Sequence, residues 1–547
     1  MYIPTTQLKL MAVFLSVFFL FACESTQPLL PEAGSYDGNI AGHPILLVSD
    51  STSNKQAFGY FLFNNNLQLE KAWNFVIEQS DGKLHFRSDT INGILKLKAD
   101  EKKLNGKIIL QDRGFSIFFW KKRKNFSLHQ RAMKSIEAGN RYKEQVFDSI
   151  RIEKDIVYGR ARGYWTETPY LDDPYIEILA RGMVNLFKGE KDLDLMLDLY
   201  LPQNDSIQKR PLVMLIHGGA FYIGNKSSQT VRMLAEELAH CGYVVASIDY
   251  RMGFRLRASD IERSAYKTLQ DAHAALRYLS HHAEEYHIDP HHVYLGGTSA
   301  GGIASISLAF IDHDERPEAS FSSRRHDDLG TVETSGNQLT DSFTIKGVAN
   351  MWGAIDDTAH IDVDEQIPVI SFHGTIDQIV PFNFGHPFAN TLRLNRLIMD
   401  EVYGSKAIHE RLSVLGIKNQ LRAFENKGHE PQLDRFKSVN ELLDTIGNNI
   451  IGFYHGLTAP EILYAEDQQL ISANKALVPL DIEIENGTLA QLEITGGVKA
   501  SARPDDTRII WLSNRNEHRL KIIAQNEKDA WSSTTLEFKI DSTLTDK

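Results

Sequence analysis

Three rhythms of apolar and polar positions divide the chain. From about Gly34 to Arg123, short alternating runs such as "HPILLV", "AFGYFLF" and "WNFVIEQSDGKLHFRS" are separated by Asp81-Gly82, Asn92-Gly93 and Asn105-Gly106. Asn-Gly and Asp-Gly between alternating segments are strong hairpin signals, so this region reads as an antiparallel barrel or sandwich. "HQRAMKSIEAGNRYKEQ", His129–Gln145, reads as a polar helical linker. From about Val146 to Gly456 the rhythm changes. Leucines at 193, 195, 197, 199 and 201 mark a half-buried strand by their period of two. "PLVMLIHGG", "YVVASIDY", "HVYLGG", "GVANMWG" and "PVISFHG" are continuous apolar runs of the kind buried on both faces of a parallel sheet. Between them, Ala265, Leu269, Ala272, Leu276 and Leu279 recur every three or four positions, one face of a helix. Strand–helix alternation of this length predicts an α/β fold, a mostly parallel sheet with helices on both faces. From about Ala459 the helices stop, and "LDIEIENGTLAQLEIT", "HRLKIIAQN" and "TTLEFKI" read as strands of a β-sandwich.

The expected organisation is a signal peptide at 1–22, an all-β domain at 24–128, a linker at 129–145, an α/β domain at 146–457 and a β-sandwich at 458–547. Residues Leu10–Ala22 form an apolar run after Lys9 that suits a signal peptide and is too short to span a bilayer. It ends in "LFAC", which resembles the lipobox of bacterial lipoproteins and makes Cys23 the expected lipidation site. The implied location is the bacterial cell envelope, in the periplasm or at the outer membrane or cell surface, held by the lipid anchor alone; plain secretion is the alternative. The other cysteine, Cys241, reads as a buried structural thiol. A net charge of −12 argues against a nucleic-acid partner. No cofactor signature appears: "LGGTSAGG" lacks the lysine of a phosphate loop, and His281-His282 and His291-His292 lack metal-ligand spacing.

The candidate chemistry centres on "VYLGGTSAGGIA", Val293–Ala304. A strand that turns abruptly into a helix holds its corner residue, Ser299, in strained backbone, and only small neighbours two positions away relieve the clash. A serine hydroxyl needs a base, and the base needs an orienting group. Asp377 follows the strand "PVISFHG", and His429 follows "LRAFEN"; both fall on loops at strand carboxyl ends, where open α/β sheets keep their ligands. Asp356 and Asp357 are the alternative acids. "HGGAFYIG", His217–Gly224, offers the amides of Gly219 and Ala220, with Ala300 after the serine, as oxyanion donors. His217 reads as a structural group bonding that loop.

"LMLDLYLP", "HGGAF", "DYRMG", "IDPHHVYLGGTSAGG", "HGTIDQIVPF" and "GHEP" resemble the α/β-hydrolase carboxylesterases and lipases, especially a secreted bacterial branch. The C-terminal strands resemble PKD-like, immunoglobulin-type modules. The resemblance implies a serine ester hydrolase acting through an acyl-enzyme, with Ser299 as nucleophile, Asp377 as acid and His429 as base. The expected partners are small-molecule or glycan-linked esters, acylated carbohydrate or small lipid esters among them. Oligomeric state and acyl specificity stay open. Thr298 stands where the related type-B and hormone-sensitive-lipase patterns more often carry a carboxylate. A serine peptidase and a non-catalytic binding protein on the same fold are the other readings. The polar insertion Asp312–Gln338 is expected to be a lid or a surface loop.

Overall fold

The computed structural model describes residues 34–40, 43–50, 56–65, 68–80, 83–87, 92–100, 103–111, 121–130, 138–168, 175–312, 315–388, 399–434, 438–464, 470–472, 477–479, 482–495, 497–499, 508–511 and 517–541. The signal-peptide and Cys23 expectations lie outside them. Eight strands between Gly34 and Gln130 pair antiparallel with their neighbours and close into a barrel, the last returning to the first with Tyr36 opposite Gln130. The stretch expected as a helical linker is not helical over its described part. Residues 129–130 finish the last barrel strand, and 138–149 run through turns. There Arg141 and Tyr142 are buried, Arg141 pairs with Asp205, and the Tyr142 amide donates to the Cys241 carbonyl at 2.8 Å.

The central sheet has eight strands, numbered here in chain order: β1 (Ile150–Gly163), β2 (Lys191–Pro202), β3 (Arg210–Ile216), β4 (Val244–Ile248), β5 (Ile288–Thr298), β6 (Ile345–Met351), β7 (Val369–Gly374) and β8 (Asn419–Phe424). Their order across the sheet is β1-β2-β4-β3-β5-β6-β7-β8. β4 pairs antiparallel with β2, and β2 with β1; every pairing from β4 through β3 to β8 is parallel. This is the mostly parallel α/β sheet that the strand–helix alternation predicts, in the α/β-hydrolase form that the motif resemblance implies.

Alternate side chains of each strand enter different cores. Leu212, Met214 and Ile216 of β3 join Leu269, Ala272, Leu276 and Leu279 of the helix Ala258–His281 on one face. Val213 and Leu215 join Val231, Leu234, Ile446 and Ile450 on the other. The longer helices among the described residues are α1 (Tyr175–Lys188), α2 (Gln229–His240), α3 (Ala258–His281), α4 (Ala300–Phe310), α5 (Ser405–Val414) and α6 (Leu442–Thr458). α2 and α6 cover the second face, whereas α3, α4 and α5 cover the first. β2 departs from the half-buried strand read from its leucines. Its first half alternates, but Leu197–Pro202 is buried on both faces because Tyr200 enters the second core.

The polar insertion is stitched along α3. Arg263 donates to the carbonyls of Ala319 and Asp327 at 2.7 Å each, Gln270 to that of Leu329 at 2.7 Å, and Arg277 to that of Ser335 at 2.7 Å. Arg251 bonds Ser335 at 3.0 Å while its guanidinium pairs with buried Asp271.

Beyond α6 the described strands form small sheets around Leu492, Leu520, Ile522 and Leu536. The turn between Arg519–Gln525 and Trp531–Glu537 docks on the central unit. Asn526 Nδ2 donates to the Thr458 carbonyl at 2.8 Å, Lys528 pairs with Asp289 at 2.9 Å, and Ala530 joins the second core.

Three histidines are packed in their neutral form. Burial pushes His217, His273 and His292 down to about 4, helped at His273 by Arg277 and at His292 by Lys528. An unfolded histidine titrates near 6.5, so the unfolded chain takes up these protons first as pH falls. The stability they protect is complete above about 6.5 and drains as the pH drops towards 4; His217 alone accounts for about 3 kcal/mol. Urea midpoints at pH 8, 6 and 4.5 should decline steeply over the last interval, and His217→Asn should lessen the decline.

Candidate active site

Ser299 sits at the corner between β5 and α4 with φ 53° and ψ −117°, a conformation that costs a non-glycine residue about 1–3 kcal/mol. The corner is pinned on both sides: the Ser299 amide donates to the Met351 carbonyl at 2.8 Å, and its carbonyl accepts from the Ile303 amide at 2.9 Å. The flanking glycines are required by close approach. A Cβ on Gly301 would strike the carbonyls of Ile216 and His217, and one on Gly297 would strike the Gly301 carbonyl. The serine is 9% exposed.

Asp377 and His429 arrive on two loops tied to each other. The Thr375 amide donates to the Phe424 carbonyl and the Ile376 amide to the Lys427 carbonyl, both at 3.1 Å. These bonds bring the turn after β7 alongside the loop after β8. Gln432 fastens the second loop to α2 through Thr230 Oγ1 at 3.1 Å. His429 Nδ1 lies 2.6 Å from Asp377 Oδ2, and Nε2 lies 2.8 Å from Ser299 Oγ. A carboxylate only accepts, so Nδ1 carries the hydrogen; neutral Nε2 then accepts from the serine hydroxyl. The three residues separated in sequence thus form one hydrogen-bonded chain. The Asp377 side chain is wholly buried, and burial works to raise its pKa. Hydrogen bonds from His373 and then His429 more than reverse this, holding the carboxyl well below the usual range. Asp356 and Asp357 go elsewhere: Asp356 bonds His360 at 3.2 Å and Asp357 accepts from the Ala359 amide at 2.8 Å.

The "HGGAF" loop lies against the same corner, since a Cβ on Gly218 would come within 3.2 Å of Ser299 Cβ. Gly219 has φ 116°, open to glycine, and Ala220 and Phe221 follow at 53° and 57°. The amides of Gly219, Ala220 and Ala300 donate to no protein acceptor among the described residues. His217 Nδ1 donates to the Gly218 carbonyl at 2.7 Å, its carbonyl accepts from Tyr250 at 2.9 Å, and its ring stacks on Tyr250 at 4.3 Å. Further along, buried Lys226 holds the loop to the sheet. Its Nζ lies 2.7, 3.4 and 3.5 Å from carboxylates of Asp155, Asp198 and Asp249. With one cation among three carboxylates, burial pushes Asp249 up to about 7 despite that lysine.

Sequence reasoning missed this anchor and two residues beside the chain. Trp352, at φ 45°, sets its ring edge-on to His429 with centroids 6.5 Å apart. His373, at the end of β7, reaches Asp377 Oδ2 at 3.2 Å. The position of His373 four residues before the acid was the only signal for it.

The BD-FAE family model matches residues 197–360, from β2 through the serine corner to the turn after β6. It is esterases that this chain resembles. A probable isoprenylcysteine alpha-carbonyl methylesterase of Arabidopsis thaliana is 27% identical over 36% of this chain and 44% of its own length. Gut esterase 1 of Caenorhabditis elegans is 30% identical over 29% of this chain and 28% of its own. A protein of Mycobacterium tuberculosis named as a probable carboxylic ester hydrolase, LipM, is 26% identical over 42% and 59%. The chain therefore spans about a quarter to three-fifths of the length of these relatives. Among solved structures, a truncated carbohydrate esterase from gut microbiota aligns over 57% of this chain and 98% of its own, at 17% identity and a TM-score of 0.36.

A valine at Gly301 has backbone carbonyls of β3 in its way, atoms that cannot rotate aside. Gly301→Val should lose about 3 kcal/mol or more, read by chemical denaturation, whereas Ser299→Ala should unfold near the wild-type midpoint.

Proposed function

We propose that the chain is a serine ester hydrolase working through an acyl-enzyme. The observation that carries this is the continuous chain Asp377–His429–Ser299, with bonds of 2.6 and 2.8 Å, beside a loop of unengaged amides. His429 Nε2 takes the Ser299 proton as Oγ attacks the ester carbonyl carbon. The resulting oxyanion is held by the amides of Gly219, Ala220 and Ala300, each donor of this kind contributing about 3–4 kcal/mol. His429 then gives the proton to the departing alcohol, leaving the acyl group on Oγ. Water, deprotonated by His429, attacks that ester, and the acid leaves with Ser299 restored. Asp377 stays ionised throughout, fixing the tautomer and balancing the imidazolium. The match to the BD-FAE model and the similarity to proteins named as esterases support the same reaction class.

The substrates read best as esters of acylated carbohydrate or small lipids, carried as small molecules or on a glycan. Flanking β units and an exported, envelope-bound location, with lipid on Cys23 after removal of residues 1–22, lean towards the carbohydrate esters. Residues 458–547 are read as a PKD-like module appended to the hydrolase.

The test is hydrolysis of 4-nitrophenyl acetate by the full chain. Ser299→Ala should lower kcat by about 10³-fold or more, and Asp377→Asn, which turns an amide towards His429, by up to about 10⁴-fold. Because Asp377 remains charged far into acid, its own protonation should leave the acid limb of kcat/KM unshaped. Equal rates for wild type and Ser299→Ala would dispose of this reading. Acetyl, feruloyl, butyryl and octanoyl esters compared side by side would rank the acyl groups.

A further inference from the structure

One wholly buried histidine near the site takes no part in the proposed reaction. His373 is 0% exposed, and both its ring nitrogens are engaged. Nε2 lies 3.2 Å from Asp377 Oδ2 and 3.1 Å from the Val380 carbonyl; Nδ1 lies 2.8 Å from Ser405 Oγ. The carboxylate and the carbonyl are acceptors only, so Nε2 carries the hydrogen, shared between them. The neutral ring then accepts at Nδ1 from the Ser405 hydroxyl. Ser405 Oγ accepts in turn from Asn350 Nδ2 at 3.1 Å, which also reaches Ser371 Oγ at 3.3 Å. Asn350 Oδ1 accepts from the Gly353 amide at 2.9 Å, and there the network ends on backbone. Asn350, Ser371, His373 and Ser405 are all buried to within 2% exposure, so water does not scramble these directions.

The acceptor capacity of Asp377 is thereby divided. Oδ1 takes the amides of Ile379 and Val380 at 2.8 and 3.1 Å, and Oδ2 takes one hydrogen from each of two histidines. We propose that His373 is a positioning residue: through Nε2–H it fixes Oδ2 on the axis of His429 Nδ1 and keeps the negative charge on the carboxylate. Ser405 and Asn350 hold His373 in the one tautomer that can do this. The downward shift of the Asp377 carboxyl, in which the hydrogen bond from His373 stands first among the lowering causes, agrees with that geometry. The proposal rests on the reading of Ser299, His429 and Asp377 as the catalytic chain.

The experiment compares His373→Leu, His373→Gln and Ser405→Ala in the full chain, with 4-nitrophenyl acetate across pH. His373→Leu removes the donor, and a misdirected carboxylate should lower kcat about 10- to 100-fold with KM little changed. A carboxylate relieved of one donor draws imidazolium charge more strongly, so the acid limb should move to higher pH. His373→Gln, which can present an N–H near the Nε2 position, should recover kcat to within about fivefold of wild type. Ser405→Ala frees the ring to change tautomer and should shift both readouts in the same direction by less. Wild-type kcat and acid limb in His373→Leu, or equal losses in the Leu and Gln variants, would overturn the proposal. If His373→Leu fails to fold by circular dichroism, a wild-type kcat and acid limb in Ser405→Ala would do the same. A Ser299→Ala chain that still hydrolyses the ester points instead to failure of the catalytic reading beneath it.

Discussion

Everything at this site depends on how closely α4 approaches the carboxyl ends of β3 and β5. The corner at Ser299 exists because Gly301 presses its α-carbon against the carbonyls of Ile216 and His217, while Gly297 does the same to Gly301. Bring those segments apart by one methyl group, and the serine relaxes out of φ 53°. The hydroxyl would then leave the line of His429, and the "HGGAF" loop would lose its neighbour. The strain is local, but the two cores that oppose it run the length of the sheet.

The remaining members of the site are held by polar rather than steric means. Asp377 is buried with every acceptor direction filled, and Lys226 binds the chain after the "HGGAF" loop to three acidic residues on β1, β2 and just past β4. A buried charge with its partners in place is directional, whereas an unpaired one would be costly. Each of these groups comes from a different strand or from the loop that follows one, so the sheet sets their separations.

The parallel strands were legible because burial on both faces leaves an unbroken apolar run, as in "PLVMLI". Ser299 and Asp377 were legible because each follows such a run within a few residues, and His429 because it follows the next strand end, although β8 itself is polar and partly exposed. β1 was not, since an outer strand with a mostly exposed, irregular pattern carries no such mark. His373 was visible only as the tail of an apolar strand, and its partner Ser405 lies 32 positions away. Lys226 was equally silent: its carboxylates come from residues 155, 198 and 249, a grouping that only the folded sheet assembles. What periodicity reveals is burial; it does not reveal which buried polar groups meet.

The insertion alongside α3 has an unusual seam. Arg263, Tyr266, Gln270 and Arg277 all reach across to main-chain oxygens, those of Ala319, Asp327, Gly330, Leu329 and Ser335 among them. A peptide oxygen is supplied by any amino acid, so at these points the helix grips the shape of the segment, while His326 on Asp260 and the Asn337 side chain on Arg277 add contacts that depend on its spelling. Where the grip is on main-chain oxygens alone, mutational drift can proceed with the attachment unchanged, leaving the protein a rim whose chemistry is free to be rewritten.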